Sequence, residues 1–226
     1  MTPWRDAFAA ILGKDLRSEL RTLRSLPAMV LFAVTTFVIF HFGLDRASLS
    51  GSLAAGVLWA TLLFAGVLGI NRLFVAERDE GGFEAVRLAP IDRTALLAAK
   101  SAALLIYMLV LELITVPVFA LFFLDSAAAL GPLCLVLVLA DIGLAATGAL
   151  VSSMAVNSRA RDLLVPLLLL PLVVPLMIAA TGASQHLLDA GGPGYDRYGS
   201  WLAVLGLYDL VFLLIGYAVF DFLLED

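Results

Sequence analysis

The sequence predicts an all-α integral membrane protein: six transmembrane helices, an N-terminal amphipathic helix at the membrane interface, and a short cytoplasmic helix between the second and third spans. Composition is the first reason, because 62% of the 226 residues are hydrophobic and 15% are charged, with a mean hydropathy of +1.02. Soluble domains carry roughly 25% charged residues. The second reason is the length of the apolar runs, since several reach the roughly 20 residues that cross a bilayer as a helix.

The six predicted spans are joined by segments that are too short to form a separate domain. Their bounds are about 26–44, 53–73, 98–124, 132–156, 163–183 and 201–223. We therefore expect residues 1–226 to form a single transmembrane domain.

Residues that shape helix packing stand out in the fourth and fifth spans. In the fourth, small residues recur four apart, as in Gly143 with Thr147 and Gly148 with Ser152. This spacing predicts close contact between helices. The prolines of the fifth span are Pro166, Pro171 and Pro175. Neighbouring helices or waters must satisfy the carbonyls that prolines leave free, and such a composition suits a span that bends.

The distribution of basic residues predicts the orientation. Of the 14 Lys and Arg residues, five precede the first span, five lie between Arg72 and Lys100, and two lie between the fourth and fifth spans. Twelve of the 14 therefore fall on one side of the membrane, which the positive-inside rule makes cytoplasmic. Both termini are expected on this side.

Residues 1–26 are predicted to form an amphipathic helix in the cytoplasmic interface. On a helical projection the apolar side chains cover about half of the circumference, and Arg17 and Arg21 lie opposite them. Asp15 and Glu19 break the pattern, because both project from the apolar side one turn apart. Two interpretations are open: these acids pair with neighbouring basic side chains, or they dock against the bundle or a partner.

Three acidic residues fall inside predicted spans: Glu112, Asp141 and Asp209. A charge near the middle of the bilayer is costly, so each is a functional hypothesis by default. Alternating helices place all three at a similar depth, slightly outside the midplane. The structural interpretation is that each is protonated or hydrogen-bonded and simply joins helices.

These acids also define two rival functions. An ion-coupled secondary carrier would use Glu112, Asp141 and Asp209 as a relay, although the sequence has no convincing internal repeat. An intramembrane aspartyl protease would use Asp141 and Asp209 as a catalytic dyad, but LADIG and LYDLV form no convincing paired signature.

Between the second and third spans lies a charged segment, RLFVAERDEGGFEAVRLAPIDR, at residues 72–93. Its acidic and turn-forming residues are Glu77, Asp79, Glu80, Gly81, Gly82 and Glu84. FEAVRL is predicted to form a short helix whose positive N-terminus is favoured by the preceding acids. The side chains that it would present to the cytosol are Phe83, Val86, Arg87 and Leu88. A small apolar and basic surface of this kind suits a groove on a partner protein.

No phosphate-binding motif of the form G-x-x-x-x-G-K-[ST] occurs in the chain. If ATP is used, another polypeptide supplies the site, and we predict that this chain is not itself an enzyme and has no catalytic residue. There is no C-x-x-C-H motif for covalent haem. Cys134, His41 and His186 are too isolated to predict a metal site.

Four segments of the chain resemble one known family. They are KDLRSELRTLRS, RLFVAERDEGGFEAVRLAPIDRTALLAAK, SRARDLLVPLLLLPLVVPLMIA and YDLVFLLIGYAVFDFLLED. Together they resemble the haem exporter protein B family, CcmB, the membrane subunit of the cytochrome c maturation ABC transporter. The resemblance covers nearly the whole chain, and none of its motifs is catalytic.

The resemblance implies a homodimer of this subunit with two copies of a separate ATPase subunit of the CcmA type, in the bacterial inner membrane. It further implies association with the haem-handling protein CcmC, the small protein CcmD and the haem chaperone CcmE, and no nucleic-acid partner. Residues 77–90 would contain a coupling helix, matching Gly81 to Leu88, seated on the ATPase. ATP would be bound by the partner and haem would be the candidate cargo. Whether ATP hydrolysis drives haem export or releases haem-loaded chaperone stays open.

Overall fold

The structure, a computed structural model, describes residues 3–23, 25–44, 51–74, 93–124, 127–155, 158, 160–189, 195 and 197–223. These residues form seven α-helices and one short 3₁₀ turn, Ala127–Ala129, and contain no strand. The helices are α1 (Trp4–Thr22), α2 (Leu26–Gly43), α3 (Gly51–Arg72), α4 (Arg93–Phe123), α5 (Leu130–Ala155), α6 (Arg161–Gln185) and α7 (Tyr198–Leu223). The predicted coupling region, 77–90, lies outside the described residues.

Helices α2 to α7 are each long and apolar enough to cross a membrane, with mean hydropathies from 1.9 to 2.7. They confirm the prediction of an all-α membrane protein with six spans. One boundary differs clearly: α4 begins at Arg93 and has 31 residues, whereas the predicted span begins near residue 98. The helix is therefore about 45 Å long and extends past the hydrocarbon at one end.

Two spans occupy the centre of the bundle. Within one 18-residue stretch of each span, 67% of residues in α3 and 72% in α5 are buried within the chain, against 17% in α2 and 22% in α7. Helix α5 packs on α4, α6 and α7, and α3 packs on α2 and α6. The remaining spans bury one face and turn the other outward.

Glycines allow the central helices to approach closely. A Cβ atom added to Gly148 of α5 would lie 2.6 Å from Ile70 Cδ1 of α3, closer than real contacts allow. The same addition to Gly66 of α3 would lie 2.9 Å from Leu144 Cδ2 of α5. The contact that the small-residue spacing of the fourth span predicts is thus present at Gly148, because a hydrogen in place of a side chain admits the neighbouring helix.

Hydrogen bonds also hold the end of the bundle at which α3 begins. The backbone N–H of Gly51, at the start of α3, donates to the Leu188 carbonyl just beyond α6 at 2.9 Å. Tyr198 of α7 donates its hydroxyl to the Pro132 carbonyl in the first turn of α5 at 2.7 Å. These bonds bring the starts of α3, α5 and α7 and the end of α6 to one side, as alternating spans require.

Candidate functional site at the predicted cytoplasmic end

The candidate site surrounds the last turn of α3, which leads directly into residues 75–92. We call this the α3 exit and define it as Ile70 to Phe74. The charge distribution predicts that it lies on the cytoplasmic side. Side chains of α4 and α5 bond to the backbone of the α3 exit, and side chains of α1 and α6 bond to those in turn.

Lys100 of α4 provides the first connection. Its side chain is only 1% exposed, and its Nζ lies 2.9 Å from Asp15 Oδ2 of α1. The same nitrogen donates to the Leu73 carbonyl at 3.2 Å and lies 5.1 Å from the centre of the Phe74 ring. An ammonium group withdrawn from water requires such compensation, and here a carboxylate, a carbonyl and an aromatic face provide it.

Additional bonds fasten α1 to α4. The Tyr107 hydroxyl of α4 donates to the Asp15 backbone carbonyl at 3.3 Å. Trp4 donates its indole N–H to Thr94 Oγ1 at 3.0 Å. The exposed amine of Lys14 also lies 3.5 Å from Asp15 Oδ1. Asp15 therefore combines both interpretations left open by the sequence: it pairs with its neighbour and it docks on the bundle.

Glu19 has a different role, at the start of α2. Its Oε1 accepts the backbone N–H groups of Ser25 at 2.8 Å and Leu26 at 2.9 Å. The first N–H groups of a helix lack partners within the helix, so the carboxylate caps α2 and fixes the turn from α1. The remaining predicted residues of this helix, Arg17 and Arg21, are exposed on the opposite face.

A second buried cation approaches the α3 exit from α6. The Arg161 side chain is 2% exposed, and its Nη2 donates to Ser152 Oγ of α5 at 3.0 Å. Ser152 in turn donates to the Ile70 carbonyl at 3.2 Å. The hydroxyl therefore bridges the guanidinium and the backbone of α3.

No sequence pattern assigned a role to Lys100 or Arg161 beyond the count of basic residues. A signal existed for Lys100, which stands alone in the apolar run ALLAAKSAALL. No comparable signal existed for Arg161, because it lies within SRARD beside other charges. Its burial depends on which helix ends meet in three dimensions.

Both cations act on the negative end of α3. The last carbonyl groups of a helix lack partners within the helix, and the aligned peptide dipoles make this end electronegative. Ile70 and Leu73 supply the two carbonyls that the cations reach, directly or through Ser152. The backbone of the α3 exit is consequently held directly by α4 and α5, and through them by α1 and α6.

The structure brings two of the three intramembrane acids together. A hydrogen bond joins the side chains of Glu112 in α4 and Asp141 in α5, and both residues are buried. Two carboxyl groups can share a hydrogen bond only when at least one of them carries a proton, because an ionised carboxylate has no donor. Within the part of the chain that the structure describes, Glu112 Oε1 and Asp141 Oδ2 are buried without any hydrogen-bond partner.

Asp209 belongs to α7 and packs against a different face of α5. Its Oδ1 packs against Gly143, 2.6 Å from the position that a Cβ would take. Gly143 follows Asp141 by two positions, which is about 200° around the helix. Next to Asp209, the Tyr208 hydroxyl lies 2.9 Å from Thr147 Oγ1. The acids thus form one hydrogen-bonded pair and one separate site.

The histidines contact neighbouring groups near helix ends. His41 Nδ1 lies 3.1 Å from the Phe122 carbonyl, and its ring stacks on that of Phe122 with centroids 4.9 Å apart. His186 Nδ1 lies 3.7 Å from Asp189 Oδ2. Among the described residues, no group of three or more His, Cys, Asp or Glu side chains could hold a metal ion.

Six apolar spans, with an N-terminal helix fastened to the bundle, define a multi-pass membrane protein. The family model described as CcmB protein matches residues 6–222, and the chain belongs to this family. The chain is 32% identical to heme exporter protein B of Bradyrhizobium diazoefficiens over 93% of both chains. It is 28% identical to heme exporter protein B of Pseudomonas aeruginosa over 88% of this chain and 89% of the relative. Heme exporter protein B of Haemophilus influenzae is 30% identical over 88% of both.

Proposed function

We propose that this chain is the membrane subunit of an ABC-type haem exporter and that a separate subunit supplies the ATP hydrolysis. Family membership and the names of the relatives support the haem-export part. The lack of a phosphate-binding motif in the sequence supports the assignment of ATP hydrolysis to a separate subunit. ATP would bind the partner, and haem would be cargo held without a covalent bond.

The observation that carries the mechanism is the convergence of buried side chains on the α3 exit. Residues 77–90 would contact the ATPase, with Phe83, Val86, Arg87 and Leu88 seated in its groove. Movement of that segment would act first on the backbone at Leu73 and Phe74. Lys100, which bonds to the Leu73 carbonyl, and Ser152, which bonds to the Ile70 carbonyl, would then pass the displacement to α4 and α5.

The assembly proposed from the family is larger than this chain. It comprises two copies of this subunit, two ATPase subunits of the CcmA type, the haem-handling protein CcmC, the small protein CcmD and the haem chaperone CcmE. We place it in the bacterial inner membrane with both termini in the cytoplasm. Twelve of 14 basic residues on one side support this orientation.

The work done by hydrolysis has two candidate forms: export of haem through the assembly, or release of haem-loaded chaperone from it. They differ in where haem accumulates when hydrolysis is blocked. Export predicts haem retained on the cytoplasmic side, whereas release predicts haem-loaded chaperone that remains bound to the membrane assembly.

One observation favours a second candidate function, an ion-coupled secondary carrier. The hydrogen-bonded Glu112 and Asp141 pair is a buried site that can hold a proton. Under that alternative, Asp141→Asn abolishes transport while every protein partner remains bound. Under the ABC proposal, transport fails instead when the ATPase is lost.

The test compares two charge reversals at the predicted cytoplasmic end. Arg87→Glu is expected to abolish co-purification of the ATPase and maturation of c-type cytochromes. Arg17→Glu, on the exposed face of α1, is the matched control and should leave both intact. Retention of the ATPase by Arg87→Glu and by Val86→Asp would refute the proposed coupling surface.

A further inference from the structure

We propose that Lys100, Arg161 and Ser152 are positioning residues that make the α3 exit rigid with α1, α4, α5 and α6. Their role is to transmit ATP-driven movement of the cytoplasmic segment rather than to stabilise the fold. This inference rests on the proposed function and deepens it. None of these residues is expected to touch ATP or cargo.

Basic side chains at this end of the bundle fall into two groups. Arg17, Arg21 and Arg72 are exposed, and the Lys14 side chain is 55% exposed, as the positive-inside rule alone would require. Lys100 and Arg161 are instead 1% and 2% exposed. Orientation in the membrane does not need buried cations, so these two residues meet another requirement.

Stability is a weak explanation for the burial of the Lys100 and Asp15 pair. Replacing a buried ion pair with apolar residues of similar volume is often neutral or stabilising, since the desolvation of two charges offsets their attraction. A charged group instead fixes the relative positions of the atoms that it bonds, because its hydrogen bonds are strong and directional. At this site the fixed atoms are backbone carbonyls of the α3 exit.

Lys100 joins the two helices that flank residues 75–92, and Arg161 adds α6 through Ser152. Lys100 belongs to α4 and binds both α1, through Asp15, and α3, through Leu73. Arg161 belongs to α6 and binds α3 through Ser152 of α5. The helices before and after the 75–92 segment are thereby joined across the gap that this segment spans. A push on the segment therefore moves both helices together instead of bending the α3 exit alone.

Ser152 offers a test with little risk to the fold. Ser152→Ala removes the bridge between Arg161 and the Ile70 carbonyl and takes away only one oxygen. The adjacent Ser153 is the matched control, since it is also buried and donates only within its own helix, to the Leu150 carbonyl at 2.6 Å. Ser153→Ala should behave as the unmodified chain.

The readout is the amount of holo-cytochrome c matured per ATP hydrolysed, measured with the complete membrane assembly. For Ser152→Ala, and for Lys100→Met combined with Asp15→Asn so that no buried charge loses its partner, we expect this ratio to fall about tenfold, within the range for positions that carry coupling. Co-purification of the ATPase and its hydrolysis rate should stay within about twofold of the unmodified assembly, and Lys100→Arg should restore part of the ratio. An unchanged ratio in both loss variants overturns the inference.

A double variant that exchanges the charges of Asp15 and Lys100 distinguishes the transmission of movement from simple ion pairing. Asp15→Lys combined with Lys100→Asp keeps a pair between α1 and α4 but removes the donor to the Leu73 carbonyl. The inference predicts that the ratio stays low in this double variant. Full recovery would mean that only the docking of α1 matters, which contradicts it. Failure of the unmodified assembly to contain an ATPase would instead refute the proposed function itself.

Discussion

Helices α3 and α5 differ from α2 and α7 in burial far more than in hydropathy. The four mean hydropathies are 2.2, 2.3, 1.9 and 1.9, yet the buried shares are 67%, 72%, 17% and 22%. Hydropathy therefore reports that a helix crosses the membrane and says little about its place in the bundle. Since lipid tails are as apolar as leucine side chains, helices are selected for the centre by packing.

The space around individual glycines shows how packing distinguishes the central helices from the peripheral ones. Gly148 in α5 and Gly66 in α3 meet a neighbouring side chain within 3 Å of an added Cβ. Gly199 and Gly206 in α7 have nothing within 4 Å. The peripheral helix therefore gains nothing from Gly199 and Gly206, whereas the central helices depend on Gly148 and Gly66.

The largest effect is expected from Gly148→Val. The new side chain would overlap Ile70 and push α3 away from α5, which costs about 3 kcal/mol, the upper end for overpacking. Thermal unfolding of the detergent-solubilised protein measures the loss. Gly131→Val, in the same helix but with open space around it, should change little, and Ile70→Ala should partly rescue Gly148→Val. Equal stability of Gly148→Val and Gly131→Val would contradict the claim that close packing at Gly148 holds α3 and α5 together.

Within the peripheral helix α7, substitutions on the buried face should cost more stability than substitutions on the exposed face. Leu205 of α7 is fully buried, whereas Leu207 is 61% exposed. Leu205→Ala should cost about 2 kcal/mol, near the low end for leucine truncation, because in a membrane only packing is lost. Leu207→Ala should cost less than about 0.5 kcal/mol. A larger loss at Leu207 in the unfolding midpoint would assign that face to an interface.

The smallest effect is expected from Gly66→Ala. The added methyl would meet Leu144 at 2.9 Å and Met108 at 3.4 Å, and the flexible methionine can move aside. We expect a loss of about 1 kcal/mol. Gly56→Ala is the control within α3, because nothing lies within 4 Å of it, and its helix propensity should make it neutral or slightly stabilising. The same unfolding measurement decides, and a stabilising Gly66→Ala would contradict the packing account.

The six spans could be predicted from the sequence, because each is an apolar run of 18 residues or more, close to or above the length that a bilayer requires. It misplaced the start of α4 by about five residues, since Lys100 resembles a boundary until the structure shows it buried beside Asp15. The pairing of Glu112 with Asp141 was also beyond reach, because it depends on the rotation of two helices about their axes. The burial of Arg161 required knowledge of which helix ends meet.

The most direct measurement of the central claim is the sidedness of residue 87. In a Cys134→Ser background, Arg87→Cys should react with a membrane-impermeant maleimide in inverted vesicles and be protected when the ATPase subunit is bound. In intact spheroplasts it should not react, while Tyr195→Cys, which is predicted to lie outside, should. Labelling of Arg87→Cys from the outside of intact spheroplasts would contradict the account, because a segment there cannot receive movement from a cytoplasmic ATPase.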